Sequence, residues 1–127
     1  MTIGYMTIGA LDVEQSLPFF DAVFGAIGYE RAFFDGGWAG YGPKGAEAQS
    51  VYICPPHDGQ PARPGNGIMP GFLAPSLAAV DAAHAAALAA GGADEGAPGL
   101  RPADSTSFYG AYFRDPTGNK FCVFARP

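Results

Sequence analysis

The chain has little of several features that define particular classes of protein. Of its 127 residues only two are cysteine and two are histidine. Cys54 and Cys122 form no CxxC pair, and His57 and His84 are far apart in the sequence. So few thiols predict free, buried cysteines in a reducing cytoplasm rather than a disulfide framework. The histidines do not have the spacing of a metal-binding motif.

Charge is also scarce, and most of it is negative. Seven basic residues stand against twelve acidic ones, for a formal net charge of −5. The basic residues form no run, and this balance argues against nucleic acid and anionic membrane surfaces as partners. No apolar run reaches the length of about 20 residues that a transmembrane helix needs. The N-terminus also lacks the charged leader and apolar stretch of a signal peptide, so we expect a cytoplasmic protein.

The chain instead contains an internal repeat. A strand, a capped helix and a glycine-containing helix end run from Tyr5 to Tyr29, and the same order recurs from Met69 to Gly92, 64 residues later. Such a repeat predicts two copies of one structural module that can face each other across a cleft.

Each copy contains one helix pattern. In the first copy, apolar residues spaced by three and four predict a helix. Asp12 with Gln15 has the pattern of a helix start, but Pro18 would then lie inside the helix. We therefore place the N-cap at Ser16, which leaves Pro18 in the first turn. In the second copy, Ser76 caps an alanine-rich helix that reaches Ala90.

Strand patterns follow the first helix. Three strands are predicted, at Tyr29–Phe34, Trp38–Tyr41 and Ser50–Cys54. Residues 55–67 contain four prolines and three glycines and therefore form a linker.

The second copy is similar. Its first strand is predicted at Ile68–Leu73, and a Gly/Pro-rich loop through Gly96 and Pro102 follows its helix. Strands Thr106–Arg114 and Lys120–Ala125 flank the turn Asp115–Asn119, which has the composition of a hairpin turn. The chain is thus predicted to be a single α+β domain of two βαβββ modules, about 1–56 and 67–127, joined by the linker at about 55–67.

This doubled order, with these motifs, resembles the vicinal oxygen chelate superfamily of glyoxalase I, bleomycin-resistance proteins and extradiol dioxygenases. The supporting segments are TIGALDVEQSLPFFDAVFGAIGYER in the first copy, and APSLAAVDAAHAAALAAGGADEGAPGLRP and YGAYFRDPTGNKF in the second. The resemblance covers essentially the whole chain. It implies mixed sheets that curl round a shared cleft, which commonly holds one divalent metal ion.

The resemblance also implies where metal ligands would lie, in the first and last strands of each module. Carried onto this chain, those four positions are Tyr5, Tyr52, Met69 and Cys122. None is the His, Gln or Glu that the family uses, and phenol, thioether and thiol groups do not suit hard divalent metals. We therefore expect a metal-free cleft without a cofactor.

The same four residues are then candidates for lining a ligand pocket. Tyr112, on the strand that leads into the hairpin turn, is expected to face the same cleft, and Trp38 either stacks on a ligand or caps the barrel. Tyr5 and Tyr52 either serve a ligand or fill the barrel, and Cys122 is interpreted as a buried, inert thiol.

Three hypotheses remain open. The first is a homodimeric protein that binds a small hydrophobic or aromatic molecule without metal. The second is a lyase, isomerase or dioxygenase that uses unrecognised metal ligands or tyrosine acid–base chemistry. The third is a structural or interaction role, with the cleft filled by the protein's own side chains.

Overall fold

The fold consists of two βαβββ modules, as the computed structural model of residues 2–127 shows. Each module has its own four-stranded mixed sheet, here sheet A with order β1-β4-β3-β2 and sheet B with order β5-β8-β7-β6. In each sheet the first strand runs parallel to the last, and the other pairs are antiparallel. The predicted α+β architecture is confirmed. The elements are β1 (Met6–Gly9), α1 (Val13–Ala26), β2 (Tyr29–Asp35), β3 (Trp38–Pro43), β4 (Val51–Cys54), β5 (Gly71–Leu73), α2 (Leu77–Ala89), β6 (Ala93–Leu100), β7 (Tyr109–Arg114) and β8 (Lys120–Ala125).

The internal repeat is preserved in the strand register. Helices α1 and α2 begin at Val13 and Leu77, which keeps the offset of 64 residues. Thr7 pairs with Tyr52 in sheet A, and Gly71 pairs with Cys122 in sheet B. Because Gly71 is the repeat equivalent of Thr7, Tyr52 and Cys122 occupy equivalent places in the two sheets.

The predicted start of α1 at Ser16 is wrong. Asp12 is the N-cap, and its side chain accepts a hydrogen bond from the Gln15 N–H over 3.0 Å. Pro18 therefore lies inside the helix. Proline has no N–H, so the carbonyl of Glu14, four residues earlier, lacks its helical hydrogen-bond donor. Both Pro18 and Glu14 are exposed, so this carbonyl lies on the solvent side of the helix. Ser16 is buried, and its hydroxyl donates to the Asp12 carbonyl instead.

The segment after α2 is also corrected, because residues 93–100 form strand β6 and not a loop. This strand lies at the edge of sheet B, and its pairing with β7 shifts register on both sides of Gly96. Glycine and proline are tolerated in a strand at such edges and irregularities. Edge position therefore explains why a segment rich in these residues is extended.

Other local predictions are confirmed. Ser76 is the N-cap of α2 and accepts from the Ala79 N–H, and residues 55–70 contain neither helix nor strand. In the turn between β7 and β8, one carboxylate oxygen of buried Asp115 accepts the backbone N–H groups of residues 117, 118 and 119. Within residues 2–127, no helix has the length and apolar character needed to cross a membrane.

Both modules share a single hydrophobic core, in which helix α1 has a central position. The Phe20 ring lies 6.2 Å from Tyr41 of sheet A and 6.1 Å from Phe121 of sheet B. Each sheet turns alternate residues toward this core, and the residues between them lie on the opposite face, here called the open face. The core side of the sheets is formed by Ile8, Ala39, Tyr41, Val51, Ile53, Phe72, Ala111, Phe113, Phe121, Val123 and Ala125.

Candidate functional site

Four aromatic residues are clustered on the open face of sheet A. Tyr52 lies at the centre, with ring centroids 5.6 Å from Tyr5, 6.3 Å from Phe33 and 6.1 Å from Trp38. The three outer rings are inclined to the Tyr52 ring by 87°, 50° and 60°, respectively. We call these four residues the aromatic group.

Strand pairing brings these side chains together. Tyr52 pairs with Thr7 on one side and with Gly40 on the other, and Gly40 pairs with Phe33. Gly40 has no side chain, so the ring of Phe33 lies over it and comes within reach of Tyr52. The glycine therefore allows aromatic contact between strands that are not neighbours.

The aromatic group remains accessible to solvent. Tyr5 is 65% exposed, Trp38 41% and Phe33 38%, whereas Tyr52 is half-buried among them. Large apolar side chains on a folded surface are unremarkable when isolated, but a contiguous patch commonly marks a site of interaction.

A cleft of about 570 Å³ adjoins the aromatic group at Trp38. The linker forms one wall, because it folds back over β1 so that a Cβ on Gly9 would touch Ala62 and Pro56. Burial raises the pKa of the Cys54 thiol beneath it. The volume is in the range of small-molecule sites. Thr7, Gly9, Trp38, Cys54, Pro55, Pro56 and His57 line this cleft.

A second group of side chains lies on the open face of sheet B. Tyr112 and Cys122 are cross-strand partners, and the guanidinium of Arg101 lies 4.9 Å from the centre of the Tyr112 ring. Lys120 approaches the same ring at 5.8 Å. Arg101 itself donates to the carbonyl oxygens of residues 97, 99 and 110 and is held rigidly by them.

The chemistry of this second group is that of neutral donors. Burial raises the pKa of the Cys122 thiol, and the Tyr112 hydroxyl and Arg101 oppose that shift only in part. Burial and the neighbouring Cys122 likewise raise the pKa of Tyr112. At neutral pH both groups therefore keep their protons, so Tyr112 can donate a hydrogen bond and Cys122 is a poor nucleophile.

The structure thus brings the candidate residues of the sequence into two groups rather than one. Tyr5, Tyr52 and Trp38 lie on sheet A, whereas Tyr112 and Cys122 lie on sheet B. Met69 precedes β5 of sheet B and is partly exposed. A cleft shared between the two groups remains a prediction.

The residues expected at the family's four ligand positions, Tyr5, Tyr52, Met69 and Cys122, do not fit a divalent metal. They offer two phenols, one thioether and a thiol with a raised pKa. In the described part of the chain, residues 2–127, no group of three or more His, Cys, Asp or Glu could hold a metal ion. His84 is buried on α2, and its Nε2 lies 2.9 Å from a carboxylate oxygen of Asp94.

Sequence reasoning did not identify Phe33, Thr7, Arg101 or His57 as members of these sites. Phe33 faces Tyr52 only because β2 has an irregular register with β3 between Arg31 and Phe33. The contact of His57 with the cleft depends on how the linker folds back, which no periodicity encodes. The predicted strand Tyr29–Phe34 was nevertheless a usable signal, since it contains two adjacent phenylalanines.

Comparison with known proteins agrees with this architecture. The family model described as Glyoxalase/Bleomycin resistance protein/Dioxygenase superfamily matches residues 2–123. The chain therefore belongs to this superfamily, and the resemblance deduced from its motifs is confirmed. A search of curated proteins found no match.

Solved structures give the same result. A glyoxalase/bleomycin resistance protein from Albidiferax ferrireducens T118 is 39% identical, with 95% of each chain covered and a TM-score of 0.83. A glyoxalase/bleomycin resistance protein/dioxygenase family enzyme from Burkholderia phytofirmans PsJN is 19% identical, with 100% of each chain covered and a TM-score of 0.72. A superfamily member from Sphaerobacter thermophilus DSM 20745 is 24% identical, covers 99% and 98% of the two chains, and has a TM-score of 0.64. The last two show the fold alone.

Proposed function

We propose that this protein binds a small hydrophobic or aromatic molecule at the aromatic group of sheet A, without a metal ion. The observation that carries the proposal is the exposure of Tyr5, Phe33 and Trp38 around Tyr52, beside a cleft of about 570 Å³. Exposed rings contribute binding free energy because a flat ligand removes them from water and stacks against their faces.

The donor chemistry of the site supports the metal-free part of the proposal. Neither phenol nor thioether groups replace the carboxylates and imidazoles that divalent metals need. Elemental mass spectrometry of the purified protein, before and after dialysis against Ni²⁺, Mn²⁺, Fe²⁺ and Zn²⁺, tests this part. A stoichiometric metal that survives dialysis against buffer would contradict it.

A panel of neutral flat aromatics, including coumarin, tests ligand binding itself. Trp38 is the only tryptophan in the sequence, so its fluorescence reports directly on the aromatic group. We expect binders to change this fluorescence and to raise the melting temperature in the presence of EDTA. Tyr52→Leu should weaken binding, because Tyr52 contacts the other three rings. If no compound in a broad panel gives either signal, the proposal fails.

A homodimer is part of the same proposal. Three apolar side chains, Met69 just before β5, Leu73 of β5 and Leu88 of α2, are between 41% and 56% exposed and are available for contact with a second copy. Light scattering at working concentration should give twice the mass of one chain, and a monomer would exclude this part.

A cytoplasmic location is supported by the two free, buried cysteines.

A further inference from the structure

The rings of the aromatic group present their faces in different directions. Tyr5, Phe33 and Trp38 all contact Tyr52, yet none is parallel to it, because the angles between the ring planes are 87°, 50° and 60°. The stacked pair Phe108 and Phe124 on sheet B has an angle of only 10°. Parallel rings cover each other's faces, whereas an inclined pair leaves one of its rings with a free face. The three outer rings, Tyr5, Phe33 and Trp38, are 65%, 38% and 41% exposed and so keep surface available to a ligand.

The faces of aromatic rings attract cations, because the π-electrons make each face negative. On sheet B the protein supplies these cations itself. Arg101 and Lys120 lie over the Tyr112 ring, and Arg126 lies over the Phe124 ring at 5.5 Å. Within residues 2–127 these three contacts are the cation–π contacts of the chain, so the rings on sheet A have no such internal partner.

The charges near sheet A favour the same kind of ligand. The side chain of Arg31, the basic residue of β2, pairs with Asp21 at 3.0 Å. Asp21 extends from α1 on the core side of the sheet, so this ion pair lies away from the open face. The chain as a whole has a net charge of −5, which raises the local concentration of cations around it.

From these observations we propose that the aromatic group is a cage for an alkylated ammonium ion. The ammonium head lies against Tyr52 among the rings of Tyr5, Phe33 and Trp38, and the rest of the ligand extends past Trp38 into the adjoining cleft. A quaternary ammonium ion suits this site better than a primary amine. It carries a full charge but has little hydration to lose, so it needs no hydrogen-bond acceptor to replace water. Asp35, the cross-strand partner of Trp38, places a negative charge at the same edge of the aromatic group. The inference rests on the proposed function and narrows its ligand class.

The experiment compares choline with 3,3-dimethylbutan-1-ol, which has the same shape but carries no charge. Both are titrated into the full chain while Trp38 fluorescence is followed, and affinities are checked by calorimetry. We expect choline to bind about tenfold more tightly or better, the ratio that corresponds to a cation–π contribution of about 1.4 kcal/mol. Electrostatic attraction to the net charge alone would vanish in moderate salt, whereas the preference for choline should persist.

Two neighbouring substitutions provide a matched control. Phe33 and Phe34 are on the same edge strand and are 38% and 36% exposed, but only Phe33 contacts Tyr52. Phe34 pairs with Ala39, a core-side residue, and thus lies on the other face. Phe33→Leu should weaken choline binding at least threefold, and Phe34→Leu should leave it unchanged. Both variants keep Trp38 as the reporter.

The outcomes separate this inference from the proposed function. If the neutral alcohol binds as tightly as choline, or if both substitutions have equal effects, the cage is refuted. If neutral aromatics bind but choline does not, the inference fails and the proposed function stands. If neither choline nor any neutral compound binds, both fail.

Discussion

Gly92, directly before β6, lies in a crowded place where α1 of the first module packs against the second module. A Cβ added there would lie 2.6 Å from the Arg114 carbonyl oxygen, 2.7 Å from the Ala87 carbonyl oxygen and 2.7 Å from the Phe19 ring. Phe19 belongs to α1, Ala87 to α2 and Arg114 to β7, so the three elements converge on the position. We predict that Gly92→Ala destabilises the fold.

The magnitude follows from the nature of these neighbours. Distances below 3.0 Å are not tolerated by a methyl group, so the surrounding atoms must move. Two of the three are backbone carbonyl oxygens, and one of them accepts the hydrogen bond from the Gly92 N–H. Since Phe19 is fully buried and cannot turn aside, we expect a cost of about 2–3 kcal/mol, the upper part of the range for overpacking.

Urea unfolding at fixed protein concentration measures this cost, with Gly25→Ala as the control. Gly25 lies in α1, is exposed, and has no atom within 4 Å of an added Cβ. Removing a helical glycine there should stabilise the protein by about 0.5–1 kcal/mol. The two identical substitutions should therefore shift the urea midpoint in opposite directions. A Gly92→Ala protein within 0.5 kcal/mol of the parent would show that the modules do not pack as described.

Three further predictions concern polar groups. The pKa of Cys54 and Cys122 is raised above the usual 9.0, and that of Tyr41 above 10.0, mainly by burial. The unfolded chain therefore loses these protons first, so the free energy of unfolding should be lower at pH 10 than at pH 8, and equal values would contradict this. Asp115→Ala should cost about 2–3 kcal/mol in urea unfolding, because it leaves the N–H groups of Thr117 and Asn119 without their acceptor, while the Gly118 N–H keeps the carbonyl oxygen of residue 115. Asp115→Asn keeps an acceptor and should cost less than half as much; equal costs would argue against this role. Tyr41→Phe removes the hydroxyl that donates a hydrogen bond to Asp21 over 2.7 Å. The loss should cost about 1 kcal/mol of unfolding free energy and no more, because Asp21 keeps its ion pair with Arg31. A neutral result would rule that hydrogen bond out as a source of stability.

Much of the fold could be predicted from local pattern. The cap at Ser76, the linker and the Asp115–Asn119 turn depend on backbone chemistry within a few residues, so composition and spacing were sufficient. The start of α1 was wrongly predicted, because a proline inside a helix is costly in general but acceptable where the freed carbonyl lies on the exposed side. The location of that carbonyl depends on packing.

Strand β6 shows the same limit. Its glycines and prolines predict a loop, but the segment pairs with β7 as the edge strand of sheet B. An edge strand needs partners on one side only, and the register shifts around Gly96 accommodate residues that a central strand would not tolerate. Edge position is a property of the whole sheet, and no window of sequence contains it.

The sequence by itself determined the repeated module, which follows from periodicity and residue type and is therefore local. The resemblance of its motifs identified the superfamily and implied that Tyr5, Tyr52, Met69 and Cys122 stand where relatives hold metal ligands. Tertiary structure alone decided that Phe33 reaches Tyr52 across Gly40, and that Tyr112 and Cys122 face away from the core on a different sheet from Tyr5 and Tyr52. The physical reason is that a site depends on distances between residues far apart in the chain. Those distances are set by strand register, sheet order and the packing of α1 between the two sheets.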